Sequence, residues 1–152
     1  ERKNVNFSFV GPDEGEMERV KAIVKSEKKI HVTGAIHGKE KIAAMYQDSV
    51  MYVLPSYREG LPLTLFEAMA SALPVVATPV NGVPYEMENN VHGYLVAHGD
   101  RVALKEKILY LLDHPEVAQA MGERNKEKVK GYTWDAIAKE TMEVYESLIK
   151  EK

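Results

Sequence analysis

The chain has 152 residues, a net charge of −3 at pH 7 and no cysteine. One ordinary domain is that long and buries a real core. The charge leaves no electrostatic footprint for nucleic acid or an acidic membrane surface, and the missing thiols exclude disulfides, zinc–thiolate sites, iron–sulfur clusters and a cysteine nucleophile.

With 45% hydrophobic and 28% charged residues the composition is that of a globular protein, and no apolar run is long enough to span a membrane. A reducing cytosol fits the absence of cysteine. The chain begins E-R-K-N without a methionine, as expected of a piece excised from something longer.

Apolar β-rich runs alternate with helical patterns along the chain. N-F-S-F-V-G, residues 6–11, predicts a first strand. Met17, Val20 and Val24 at helical spacing predict a helix over 16–27. K-I-H-V-T-G, residues 29–34, is a strand closed by glycine, and 38–49 is a helix with Ile42 and Met45 on one face. V-M-Y-V-L-P, residues 50–55, is continuously apolar, which suits a strand covered on both faces. A helix follows from Leu61 or Pro62 to Ala72, then a buried strand over 74–77, a turn-rich segment with one helical turn over 82–90, and a last strand over 93–97.

The remainder reads as helical. Asp100 is the expected N-cap of a helix whose Leu104, Ile108, Leu111 and Leu112 form an apolar stripe. Pro115 opens another helix to about Gly131. Thr133 caps a last one carrying Ile137, Thr141, Val144, Tyr145, Leu148 and Ile149, with Trp134 as its packing anchor. Strand and helix in alternation predict an α/β fold with a parallel sheet and right-handed crossovers. Ligands of such sheets bind beyond the carboxyl ends of the strands.

The region after Pro55 is such an end, and it holds two carboxylates eight positions apart, Glu59 and Glu67. Gly60 lets the backbone turn and a ligand approach, and Pro62 suits a first helical turn. The amides near Gly60, Leu63 and Thr64 then point outward as an anion site with the helix dipole behind them. Glu67 lies about 7–8 Å up the helix axis. The two carboxylates therefore bracket the helix N-terminus, each able to accept from hydroxyls. A molecule with hydroxyls at both ends and phosphate in the middle matches all three features, and a nucleotide sugar has that shape. The bland alternative makes both glutamates solvated surface charges. Against it, the helix is apolar nearly all round, which predicts burial, and a buried carboxylate needs partners.

The run E-G-L-P-L-T-L-F-E-A-M-A-S-A-L-P-V-V-A, from Glu59, resembles the E-x7-E signature of retaining glycosyltransferases of family 4, in the GT-B fold group. F-V-G at residues 9–11, V-T-G-A at 32–35, M-Y-V-L-P-S at 51–56 and N-G-V-P-Y-E at 81–86 with H-G-Y-L-V at 92–96 resemble that family's flanking segments. The resemblance covers about residues 5 to 150. It implies that residues 1–152 form a single Rossmann-like, nucleotide-sugar-binding domain. That domain has a parallel sheet with helices on both faces and is the donor-binding half of a GT-B enzyme whose N-terminal acceptor domain is absent.

Carried over by resemblance, Glu59 is the catalytic carboxylate and hydrogen-bonds the donor sugar. Gly60, Leu61, Leu63 and Thr64 hold the diphosphate. Glu67 accepts from the ribose, and Ala35 and Ile36 pack on the nucleobase. The resemblance implies no metal and no cofactor, a UDP-, GDP- or ADP-sugar as donor substrate, and transfer to an acceptor hydroxyl with retention. It places the parent enzyme in the cytoplasm, peripheral to the membrane if its missing half so directs, and leaves the isolated chain inactive.

The chain departs from the family in places. The upstream arginine and lysine that neutralise the leaving diphosphate have no counterpart, since Arg2 and Lys3 sit too close to the first strand. Asn81 replaces a usual glycine, Tyr85 stands where glutamate is frequent with Glu86 one place on, and His92 replaces an asparagine.

The other chemistry-bearing residues weigh less. The five histidines have no metal-ligand spacing. His37 sits at a strand end within reach of a ligand, or is a solvated loop histidine. Lys39 and Arg58 lie near the expected mouth, or are surface charges. Two other classes compete with a transferase. One is another GT-B enzyme, a nucleotide-sugar 2-epimerase or a phosphorylase. The other is a non-catalytic α/β binding domain with structural glutamates.

Overall fold

The structure is a computed structural model that describes residues 5–150; Arg2 and Lys3 lie outside them. The chain divides into two compact units, the first ending at Met45 and the second starting at Tyr46.

The first unit pairs β1 (Phe7–Val10) in parallel with β2 (Ile30–Gly34), in register Phe7 with Ile30 through Phe9 with Val32 and a bulge at Val10. α1 (Met17–Val24) crosses between them, with Met17, Val20 and Val24 as its half-buried stripe. The Asp13 carboxylate accepts from the amides of Gly15 (2.8 Å) and Met17 (3.1 Å), the role of a capping side chain. Those two bonds hold its pKa below the ordinary aspartate value. Gly34 ends β2 at φ +72°, a conformation that favours glycine. α2 (Lys39–Gln47) follows.

The second unit is a parallel sheet of β3 (Tyr52–Leu54), β4 (Val75–Ala77) and β5 (Gly93–Leu95), in that spatial order. Between the strands run α3 (Leu63–Ala70) and the short α4 (Val83–Glu86). α5 (Arg101–Asp113), α6 (Pro115–Val129) and α7 (Trp134–Lys150) complete the chain. The alternation of β4 divides the core. Val75 and Ala77 pack with Leu65 and Met69 of α3 and with Val83 and Met87. Val76 packs on the other side with Tyr94, Val96, Leu111 of α5 and Met121 of α6. β4 is buried along its whole length, and the sheet carries helices on both faces, as the continuous apolar strands predict. Among the described residues the strand pairing is parallel, two-stranded in the first unit and three-stranded in the second.

Both predicted caps are present. Asp100 accepts from the amide of Ala103 (2.9 Å), and Thr133 accepts from that of Ala136 (3.2 Å). Trp134 corrects the reading made from sequence: it is 85% exposed and anchors nothing among the described residues. The apolar stripe of α7 is exposed with it. A helix pattern shows which residues share a face, not whether anything covers that face.

α6 is bonded to the sheet by one buried side chain. Asn125 donates through Nδ2 to the carbonyls of Leu73 (2.7 Å) and His92 (2.8 Å). His92 in turn accepts the Glu88 amide at Nδ1 (3.0 Å), which requires that nitrogen to be unprotonated. Burial, and then the nearby Lys128, pull its pKa below the ordinary histidine value of 6.5. The unfolded chain therefore takes the proton first, so stability is full above that value and falls as pH drops through it. A lower melting temperature at about pH 5.5 than at about pH 7.5 is expected, with the difference reduced in His92→Asn. An unchanged pH dependence in that variant would remove His92 from the explanation.

Candidate functional site

The glutamates sit on the loop and helix that follow β3. Thr78, the residue after β4, is only 4% exposed. Its amide donates to the Leu54 carbonyl (3.1 Å) and its hydroxyl to the Ser56 carbonyl (2.5 Å). The end of β3 is therefore pinned to the end of β4. Ser56 donates its own hydroxyl to Glu59 Oε1 at 2.6 Å. The Asn81 side-chain amide donates to the Glu59 carbonyl, and the Gly82 amide to the Gly60 carbonyl (3.1 Å). Asn81 adopts φ +45°, a left-handed conformation that asparagine tolerates better than most residues. Gly82 is needed for a different reason. A Cβ there would stand 2.7 Å from the Gly60 oxygen, so the two turns meet backbone to backbone.

Gly60 has open space around it, but its φ is not in the left-handed region. The backbone bends at Gly60, as expected from sequence, and the missing side chain leaves room for an approaching group. Pro62 is placed differently than expected. It is the residue before the helix, at ψ 118°, and α3 begins at Leu63. No side chain caps α3, and its first turn closes with the Leu65 amide on the Pro62 carbonyl (3.0 Å). Among the described residues the amides of Leu63 and Thr64 thus have no protein acceptor. Leu61 and Leu63 are 53% and 73% exposed at this end.

Glu67 is the fifth residue of α3, about 6 Å along its axis. The predicted burial of the whole helix does not hold. Leu65, Ala68 and Met69 are buried, while Leu63, Thr64 and Glu67 are exposed. One face at i, i+3, i+4 spacing meets the core, and counting apolar residues around the helix hides that division. Glu67 does have a partner: Tyr46 donates to its Oε2 at 3.1 Å. Burial first, then Tyr52 and Glu67 nearby, raise the Tyr46 pKa far above the ordinary tyrosine value. The phenol therefore stays a donor at every physiological pH. Tyr52 meets the Tyr46 ring edge-on at 5.9 Å between centroids. Burial raises its pKa too, opposed by the Thr64 hydroxyl beside it.

In the first unit, Ala35 and Ile36 follow Gly34 at the carboxyl end of β2. With His37, Lys41 and Met45 they line an open depression of about 440 Å³. In the second unit the strand ends line a smaller cavity of about 260 Å³, bounded by Pro55, Ala77, Thr78, Val96 and Leu104. Arg58 and Lys39 are exposed. Glu86 is turned to other work: it accepts from the Tyr132 hydroxyl (2.6 Å) and pairs with Lys128 (3.6 Å), while Tyr85 is 85% exposed. Among the described residues no three histidines or carboxylates converge to hold a metal, and no helix is long and apolar enough to cross a membrane.

Sequence reasoning missed the supporting residues Ser56, Thr78, Asn81 as a donor, and Tyr46. Their partners lie up to 24 positions away, where no periodicity points. Only Ser56, three residues ahead of Glu59, had a local signal.

A family pattern described as glycosyl transferases group 1 matches residues 1–128. The D-inositol 3-phosphate glycosyltransferase of Streptomyces griseus is 32% identical over 108 residues, 71% of this chain and 23% of that protein. The trehalose synthase of Pyrococcus horikoshii is 37% identical over 95 residues, 62% of this chain and 22% of that protein. The chain thus spans under a quarter of the length of these two relatives. Among solved structures, sucrose-phosphate synthase from Thermosynechococcus elongatus superposes with a TM-score of 0.83 at 29% identity, covering 95% of this chain and 39% of that one. Anabaena HepE in complex with UDP-glucose reaches 0.83 at 19% identity, covering 96% of this chain and 42% of that one. The fold is a Rossmann-like half of a GT-B glycosyltransferase. Since the family pattern takes in most of the residues, the paired glutamates and their loop included, the chain belongs to the glycosyl transferases group 1 family.

Proposed function

We propose that this chain is the donor-binding domain of a retaining glycosyltransferase of family 4, which moves a sugar from a nucleoside diphosphate to an acceptor hydroxyl. The observation that carries it is the arrangement around α3. Two carboxylates, each with one oxygen engaged by the protein and the other without a protein donor among the described residues, flank an uncapped helix N-terminus. Hydroxyls suit the free carboxylate oxygens, and a diphosphate suits the amides of Gly60, Leu61, Leu63 and Thr64.

In this reading Glu59 is the catalytic carboxylate and orients the sugar, while Glu67 accepts from the ribose. In the first unit, Ala35 and Ile36 line the depression at the end of β2, whose apolar rim suits a nucleobase. Negative charge builds on the diphosphate as the glycosidic bond breaks, so amides and a helix dipole already aimed at it stabilise the transition state without reorganising. The acceptor molecule, which supplies the hydroxyl, is held by a further domain of the parent protein, which works in the cytoplasm. No cofactor or metal takes part.

The test is thermal melting and calorimetric titration with UDP, GDP, ADP and their sugar conjugates; UDP-glucose is the first conjugate, because a protein of the same fold is solved with it. One base should raise the melting temperature. Glu67→Ala should weaken the nucleoside diphosphate by about 1–3 kcal/mol, the cost of a lost charged hydrogen bond. Glu59→Ala should spare the nucleoside diphosphate and weaken the conjugate by a similar amount. If neither substitution changes any binding, the donor site is not here.

A further inference from the structure

The donor-site reading explains Glu59 but not the residues that hold it. Ser56 donates to Oε1 at 2.6 Å, a short bond of the charge-assisted kind. The donor is itself immobilised, because the Ser56 carbonyl accepts from the buried Thr78 hydroxyl at 2.5 Å. From the opposite direction, Asn81 donates to the Glu59 carbonyl, and the next amide, that of Gly82, to the Gly60 carbonyl at 3.1 Å. Backbone and carboxylate of the same residue are thus gripped separately. One oxygen, Oε2, is left without a protein donor among the described residues.

Asn81 gives the second, independent sign. It holds φ +45°, where a glycine would sit without strain. A non-glycine residue there is costly unless its side chain contributes something, and the bond to Glu59 is what this side chain makes.

We infer that Ser56 and Asn81 are positioning residues that set the direction of Glu59, so that Oε2 alone is presented to a hydroxyl of the donor sugar. The inference rests on the donor-site reading and goes beyond it. A glutamate free in a loop loses rotamer freedom when it grips a ligand; here that freedom is surrendered on folding. The benefit falls on the sugar and not on the nucleotide, which Glu59 does not touch.

That asymmetry separates positioning from a merely structural role. Calorimetric titration of the chain with UDP and UDP-glucose, or with the guanosine or adenosine pair if that base binds, should show wild type holding the conjugate more tightly. Ser56→Ala should weaken the conjugate about tenfold and leave the nucleoside diphosphate within about twofold; Ser56→Thr, which keeps the hydroxyl, should restore it. Asn81→Gly should weaken the conjugate about threefold to fivefold with no fall in melting temperature, since glycine accepts the backbone conformation.

Equal weakening of both ligands, or wild-type binding by Ser56→Ala and Asn81→Gly, overturns the positioning role and leaves the donor site standing. A conjugate bound no more tightly than the nucleoside diphosphate by wild type also overturns it. No binding of any nucleoside diphosphate or conjugate by wild type removes the donor site itself, and the inference with it.

Discussion

Gly93→Ala is expected to cost about 4 kcal/mol or more, a loss at the extreme of single substitutions. Gly93 opens β5 opposite Val75, is buried, and holds φ +145°. A Cβ at that position would lie 1.8 Å from the Val75 oxygen and 2.7 Å from its carbon and nitrogen. All three are backbone atoms of the central strand, so no side chain can swing aside. The β4–β5 pairing must open, and the Val75 amide bond to the His92 carbonyl (3.3 Å) opens with it. Denaturant unfolding monitored by circular dichroism measures the loss, which for a chain of this size lowers the melting temperature by about 10 °C or more. A loss below about 1 kcal/mol would mean that β5 does not pair with β4 in this register.

Gly122→Ala is the second large effect, and its sign discriminates between two arguments. Gly122 lies inside α6 at an ordinary helical φ. Helix propensity alone predicts that alanine there stabilises by about 1 kcal/mol. Tertiary contact predicts the opposite, because the added Cβ would stand 2.0 Å from the Ala72 carbonyl oxygen. Ala72 cannot retreat easily: it occupies φ +57° just past Ser71, the C-cap of α3, and bonds its amide to the Met69 carbonyl (3.0 Å). We expect a net loss of about 3 kcal/mol, read by the same unfolding measurement. Because α3 carries Glu67 and the uncapped amides, nucleoside diphosphate affinity should fall along with stability. A gain in stability would show that α6 does not press on the end of α3.

Much of this molecule is readable along the chain because the controlling interactions are local. Alternating apolar runs and helical stripes place every strand and helix of the structure to within a few residues. Asp100 and Thr133 cap the helices they precede because a cap bonds an amide only three positions ahead. The paired glutamates belong with this group. A spacing of eight across a loop and one turn of helix puts Glu59 before the α3 N-terminus and Glu67 beyond it, whatever packs around them.

What sequence could not decide depends on which surface is covered and which distant groups meet. α3 looked buried all round, yet only Leu65, Ala68 and Met69 are buried, with Leu65 and Met69 packed on Val75 and Ala77 of β4, since its neighbours leave the outer side of the helix uncovered. Trp134 is apolar and was expected to pack, but burial is a property of neighbours and not of the side chain itself. Ser56, Thr78 and Asn81 carry no pattern that links them. Ser56 and Asn81 meet at Glu59, and Thr78 holds Ser56, because parallel pairing of β3 with β4 brings two loops, more than 20 residues apart, to the same end of the sheet. Local periodicity determined where the carboxylates sit on the chain. Strand pairing, a long-range event without a short-range signal, decided what holds them and which of their oxygens remain free.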